Sequence, residues 1–122
     1  MKAFSLIVGA MIALGPFPAA LANTPKFKST QANGAIAYHR ASGSYGYAMD
    51  RASTREAKNE ALKQCAHAKC EVVSSFRNAC GAVANGPKRF AAMNGVTRQE
   101  AETKALRKCG EGCEVAVWAC TK

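Results

Sequence analysis

Apolar and polar positions along the chain fall into one order of elements, and that order occurs twice. Ala35 to His39 and Tyr45 to Met49 are apolar-rich runs on either side of Ala41-Ser42-Gly43-Ser44, the pattern of two strands joined by a turn. Ser53-x-x-Glu56 then opens a segment with apolar residues at Ala57, Ala61, Leu62 and Cys65, which is helical spacing. Val72 to Phe76 reads as the strand that follows. In the second copy, Gly81 to Ala84 and Arg89 to Met93 flank the turn Asn85-Gly86-Pro87. Thr97-x-x-Glu100 opens a helix with its apolar stripe on Ala101, Ala105, Leu106 and Cys109, and Val115 to Ala119 closes the chain as a strand. Both helix starts are capping boxes, in which the hydroxyl accepts from the amide three residues on and the carboxylate reaches back.

The two copies also match residue by residue. Gly34-Ala35-Ile36-Ala37 answers to Gly81-Ala82-Val83-Ala84, and Ala61-Leu62-Lys63-Gln64-Cys65 to Ala105-Leu106-Arg107-Lys108-Cys109. Cys70-Glu71-Val72-Val73 answers to Cys113-Glu114-Val115-Ala116. Two copies are too few for a solenoid, so the pattern predicts a single pseudo-symmetric α+β domain of tandem ββαβ repeats. Its two helices are expected on one face of a mostly antiparallel sheet. Their stripes are mostly alanine, so they should lie close to what they cover.

The start of the chain reads as an address. Met1-Lys2, the apolar run Ala3 to Leu14, the break at Gly15-Pro16 and the small residues of Ala20-Leu21-Ala22 form the three parts of a signal peptide over residues 1–22. Residues 23–33 are polar and without period, an N-terminal arm, and the domain is expected over 34–122. The sequence has no cysteine before Cys65 to carry a lipid, and no other long apolar run, so the mature chain is expected to be exported, soluble and without a transmembrane segment, either periplasmic or secreted.

Six cysteines in a small exported chain suggest a disulfide framework. Cys65 ends one helix and Cys70 opens the next strand; Cys109 and Cys113 do the same in the second copy. Repeat symmetry and proximity therefore predict Cys65–Cys70 and Cys109–Cys113, with Cys80–Cys120 left by exclusion. A four-cysteine zinc site is the rival, with loose spacing and the wrong compartment, so no metal is expected. A catalytic thiol would need an unpaired cysteine, which an even count disfavours.

Groups for catalysis are few. His39 and His67, with a nearby lysine, would suit acid–base cleavage of RNA only if they converged, and solvent-exposed histidines are the plainer reading. Asp50 is the only aspartate, and Glu56 and Glu100 are occupied by capping. No phosphate loop, zincin helix or nucleophile elbow occurs. No catalytic residue and no cofactor is therefore expected. The formal net charge is +9, with 17 Lys+Arg against 8 Asp+Glu. Arg55 and Lys58 on the first helix, and Arg98, Lys104, Arg107 and Lys108 on the second, would serve a basic surface for an acidic polymer or protein. Tyr45-x-Tyr47 puts two rings on one face of a strand, with Tyr38 across the hairpin: a binding platform if exposed, core like Phe76 and Trp118 if buried.

These residues together resemble a family of bacterial secreted proteins, domain of unknown function 4189. The resemblance rests on Gly34-Ala35-Ile36-Ala37-Tyr38, Gly43-x-Tyr45-Gly46-Tyr47, Glu56-Ala57 through Ala61-Leu62 to Cys65, Cys70-x-Val72-Val73, Phe76-Arg77-Asn78-Ala79-Cys80-Gly81-Ala82 and Cys113-x-Val115-x-Val117-Trp118-x-Cys120. It covers nearly the whole chain from Gly34. Phe90-Ala91-Ala92-Met93 departs, standing where members often carry glycine and large aromatics. The resemblance implies export and cystine staples and supplies no catalytic residues. The expected function is a small exported protein-binding module without catalysis, such as an inhibitor or immunity protein, whose partner is another protein in the cell envelope or outside the cell. A basic binder of envelope polyanions is the first alternative, and a small ribonuclease using His39 and His67 the second.

Overall fold

The computed structural model describes residues 32–121. The expected signal peptide, and the arm up to residue 31, lie outside the described residues. The elements are β1 (Asn33–His39), β2 (Ser44–Arg51), α1 (Thr54–Cys65), β3 (Glu71–Arg77), β4 (Cys80–Asn85), β5 (Phe90–Gly95), α2 (Arg98–Cys109) and β6 (Glu114–Cys120). The order is ββαβ twice, as the apolar pattern predicts. Ala32 is buried and Asn33 already pairs with Arg51 and Arg77, so the folded part begins inside the segment read as arm.

Where the sequence suggests one sheet carrying both helices on one face, the structure has two. Each is three-stranded and antiparallel, in the orders β2-β1-β3 and β5-β4-β6, so the first strand of each repeat is central. The reason lies in β1 and β4, which are apolar on both faces. Ala35 and Ala37 meet Ala57, Ala61 and Cys65 of α1. Ile36 and Tyr38 point the other way, into a layer shared with Phe76, Val83, Val117 and Ala119. Likewise Ala82 and Ala84 meet Ala101, Ala105 and Cys109 of α2, while Val83 joins the shared layer. A strand covered on both faces reads as a continuous apolar run rather than an alternating one. The layers therefore stack as α1, first sheet, second sheet, α2, with each helix outside its own sheet.

Local rules set the helix ends. Ser53 Oγ accepts from the Glu56 amide at 3.1 Å, and Thr97 Oγ1 from the Glu100 amide at 3.1 Å. The Glu100 carboxylate reaches back to the Val96 amide at 2.6 Å. The alanine stripes bring the helices close, and Gly46 allows the closest approach: a Cβ there would fall onto the Ala61 carbonyl and the Cys65 amide of α1. Leu62, expected on the buried stripe, is exposed on the outer side of α1.

Three cystines are present: Cys65–Cys70, Cys109–Cys113 and Cys80–Cys120, the pairs that repeat symmetry suggests. The first two staple the end of a helix to the following strand. The third joins neighbouring strands, because Cys80 and Cys120 are cross-strand partners of β4 and β6.

Candidate functional site

Strand β2 presents its two faces to different layers. Gly46 and Ala48 face α1, so Tyr45, Tyr47 and Met49 face the second sheet. Tyr47 stands across from Ile36 and packs on the shared layer, while Tyr45 stands across from Tyr38 nearer the hairpin. Strand β6 lies opposite. It is hydrogen-bonded to β4 on one side and, among the described residues, to no strand on the other. Between the two runs a cleft of about 300 Å³, lined by Tyr45, Tyr47, Met49 and residues 116–119 of β6. Tyr45 is 46% exposed, Met49 40% and Trp118 39%, so this rim holds three of the exposed large apolar side chains.

Trp118, read from sequence as core, is therefore a surface residue. Its neighbours Val117 and Ala119 fill the shared layer, which leaves its ring on the outer side of β6. There the guanidinium of Arg98 lies 3.9 Å over the ring, in cation–π geometry. Arg98 also pairs with Glu102 at 2.9 Å. Tyr38 takes the opposite course: it is core, with its ring 5.6 Å from that of Phe90. Burial pushes its phenol above the ordinary value, and Arg40 partly offsets this.

The basic residues are not brought to one face. Arg55 and Lys58 lie on α1, and Arg98, Lys104, Arg107 and Lys108 on α2, at opposite outer surfaces of the stack. Lys104 is engaged with Glu100 at 3.5 Å and with the Asn94 carbonyl at 3.3 Å.

His39 and His67 do come together, which the sequence does not reveal. Their rings stack at 4.0 Å between centroids and 21° between planes. His67 Nδ1 accepts from the Lys69 amide at 3.0 Å, and His39 Nδ1 bonds Ser42 Oγ at 2.7 Å. Two histidines that cleave RNA flank the phosphate from opposite sides, and rings in direct contact leave no gap for one. All six cysteine sulfurs are in cystines. Among the described residues no group of three or more His, Cys, Asp or Glu is placed to hold a metal, and no helix is long and apolar enough to cross a membrane.

Of the residues singled out in the sequence, Tyr45 and Tyr47 belong to the groove. Met49 and Trp118 were missed. Met49 had a signal, two positions on from Tyr47 along the same strand face; Trp118 had one in its place between Val117 and Ala119.

Known proteins match this chain in sequence and in fold. It is 39% identical over 87 residues to "Uncharacterized protein Rv1813c" of Mycobacterium tuberculosis, covering 71% of this chain and 59% of the relative. The same identity over 87 residues relates it to "Protein Rv1269c" of that organism, covering 68% of the relative. The matched part of the chain thus spans less than two thirds of the length of Rv1813c. The solved NMR structure of Rv1813c superposes with a TM-score of 0.63 at 27% identity, covering 93% of this chain and 98% of that one. Residues 33–120 match the family model described as "Domain of unknown function (DUF4189)", and the chain belongs to that family.

Proposed function

We propose that this domain is an exported protein-binding module without catalysis, of the inhibitor or immunity kind, and that it holds its partner in the groove between β2 and β6. The observation that carries the reading is the groove itself. Tyr45 and Met49 leave large apolar area in water around one cleft, with Trp118 exposed on the outer side of the β6 wall, and apolar exposure gathered at one cleft marks interaction sites. Tyrosine and tryptophan are also the side chains on which binding energy concentrates at interfaces. Export is supported by the apolar start of the sequence and by three cystines, which persist in oxidising compartments.

The test is capture from envelope and secreted fractions by the oxidised mature protein, with Tyr45→Ala beside it, washed at low and high salt. One stoichiometric protein that survives high salt on the wild type and is lost from Tyr45→Ala is the expected result. Recovery of nothing but nucleic acid or anionic polymer, released by salt, would replace this reading with a polyanion binder. Placement of the basic residues on opposite surfaces weighs against that alternative.

A further inference from the structure

The groove has a counterpart across the pseudo-symmetry, where β5 lies against β3. Equivalent positions follow from the pairing registers. Tyr47 stands opposite Ile36 as Ala92 stands opposite Val83; beyond them β2 carries one extra residue where the β1–β2 register shifts, and Met49 answers to Asn94 by strand face, each lying two residues on from that matched pair. Counting from Cys70 and Cys113, Ser75 answers to Trp118. In the counterpart, Asn94 Nδ2 donates to the Ser75 carbonyl of edge strand β3 at 2.9 Å, and Asn94 Oδ1 accepts from Ser74 Oγ. A side chain there occupies the bonding position that an added strand would take, and Ala92 fills little space. At the open groove the same place holds Met49, whose thioether has no proton to donate. Large rings form the wall, and among the described residues no strand pairs with the outer edge of β6.

We infer that β6 accepts an extended acidic segment of a partner protein as a fourth strand of the sheet β5-β4-β6. Main-chain bonds to the free edge hold the segment, and its alternate side chains pack on Tyr45, Tyr47 and Met49. The lining residues 116–119 make room for roughly four strand residues, about 14 Å of extended chain. Charge selects the occupant. The net positive charge, spread over both outer surfaces, makes a second copy approach against like charge and favours an acidic segment, and Arg98, paired with Glu102, stands at the rim over Trp118. This inference rests on the groove being the protein-binding surface.

The experiment selects short linear peptides from a displayed random library against the oxidised protein. The selected peptides should alternate apolar residues with Asp or Glu. The best of them should slow amide hydrogen exchange around Trp118 in β6 and leave β3 unchanged. Met49→Asn, which copies the sealed groove, should weaken binding about tenfold or more, which is about 1.4 kcal/mol. Methylating alternate backbone nitrogens of the peptide should abolish binding with the protein untouched. An empty selection, protection elsewhere, or equal binding by Met49→Asn or by the methylated peptide overturns strand addition. Concentration-dependent dimerisation that protects β6 assigns the edge to a second copy instead. If Tyr45-dependent capture persists while these results fail, the groove remains the binding site and only the added strand is lost.

Discussion

Gly34 and Gly81 hold the same place in the two repeats, and the ring of Phe76 is seated against both. A Cβ at Gly34 would lie 2.5 Å from Phe76 Cε2, and one at Gly81 would lie 2.7 Å from Cε1. The ring closes the shared layer between the sheets, where both strands run bare. Gly34→Ala or Gly81→Ala must displace it, and overpacking of this kind costs about 1–3 kcal/mol. The urea midpoint should fall with the slope unchanged. An unmoved midpoint would mean that the ring turns aside freely.

The cystines should differ in weight. Chain-entropy estimates put the closure of Cys80–Cys120 at about 4 kcal/mol and each short staple at about 2 kcal/mol. Replacing both Cys80 and Cys120 by serine should therefore lower stability more than replacing both Cys65 and Cys70, read by urea unfolding of the oxidised proteins. Equal losses would show that the short staples act on the native helix ends rather than on the unfolded chain.

Glu100 should make stability depend on acid. The Val96 amide holds its carboxyl below the ordinary value, with Lys104 adding to the effect. A carboxylate depressed in the fold contributes stability above its unfolded pKa and loses it as pH falls through the folded one. Glu100→Gln should thus lower Tm at neutral pH, and the two proteins should converge in acid below the carboxylate range. A difference constant with pH would trace to the shape of the capping box and not to its charge.

His39 and His67 provide a check on catalysis. In contact at 4.0 Å they support the hairpin against the Cys65–Cys70 loop and leave no space for a phosphodiester. His39→Ala and His67→Ala should leave any background ribonuclease activity of the purified protein unchanged. Loss of turnover in either one would bring back the ribonuclease reading.

Much of this was legible in the sequence, for reasons that differ by element. The helices were, because Ser53 and Thr97 cap them and alanines at helical spacing mark the buried side. The pairing of cysteines followed from their repeated places at helix ends. The division into two sheets was written in Ile36 and Tyr38 alternating with Ala35 and Ala37, since such a strand needs cover on both sides. A single strand pattern does not say whether the second cover is a helix or another sheet. Tyr45 and Tyr47 could be put on one face, but their exposure depends on how closely β6 of the other repeat packs against β2, which no local pattern records. The histidine stack was beyond reach, because the conformation of the Cys65–Cys70 loop places His67.

Cys65–Cys70 lies within the first repeat, and Cys109–Cys113 and Cys80–Cys120 lie within the second. No cystine crosses between them. Outside the short link from Arg77 to Cys80, the halves meet through Ile36, Tyr38, Phe76, Val83, Val117 and Ala119, through Arg40 bonded to Asn85 and the Gly86 carbonyl, and through Asn94 bonded to Ser74 and the Ser75 carbonyl. A cut after Asn78 would leave two oxidised fragments with no covalent tie, each a whole ββαβ unit. The molecule is thus built as a split-protein pair whose two members happen to share one chain, and fragment complementation would read its central interface directly.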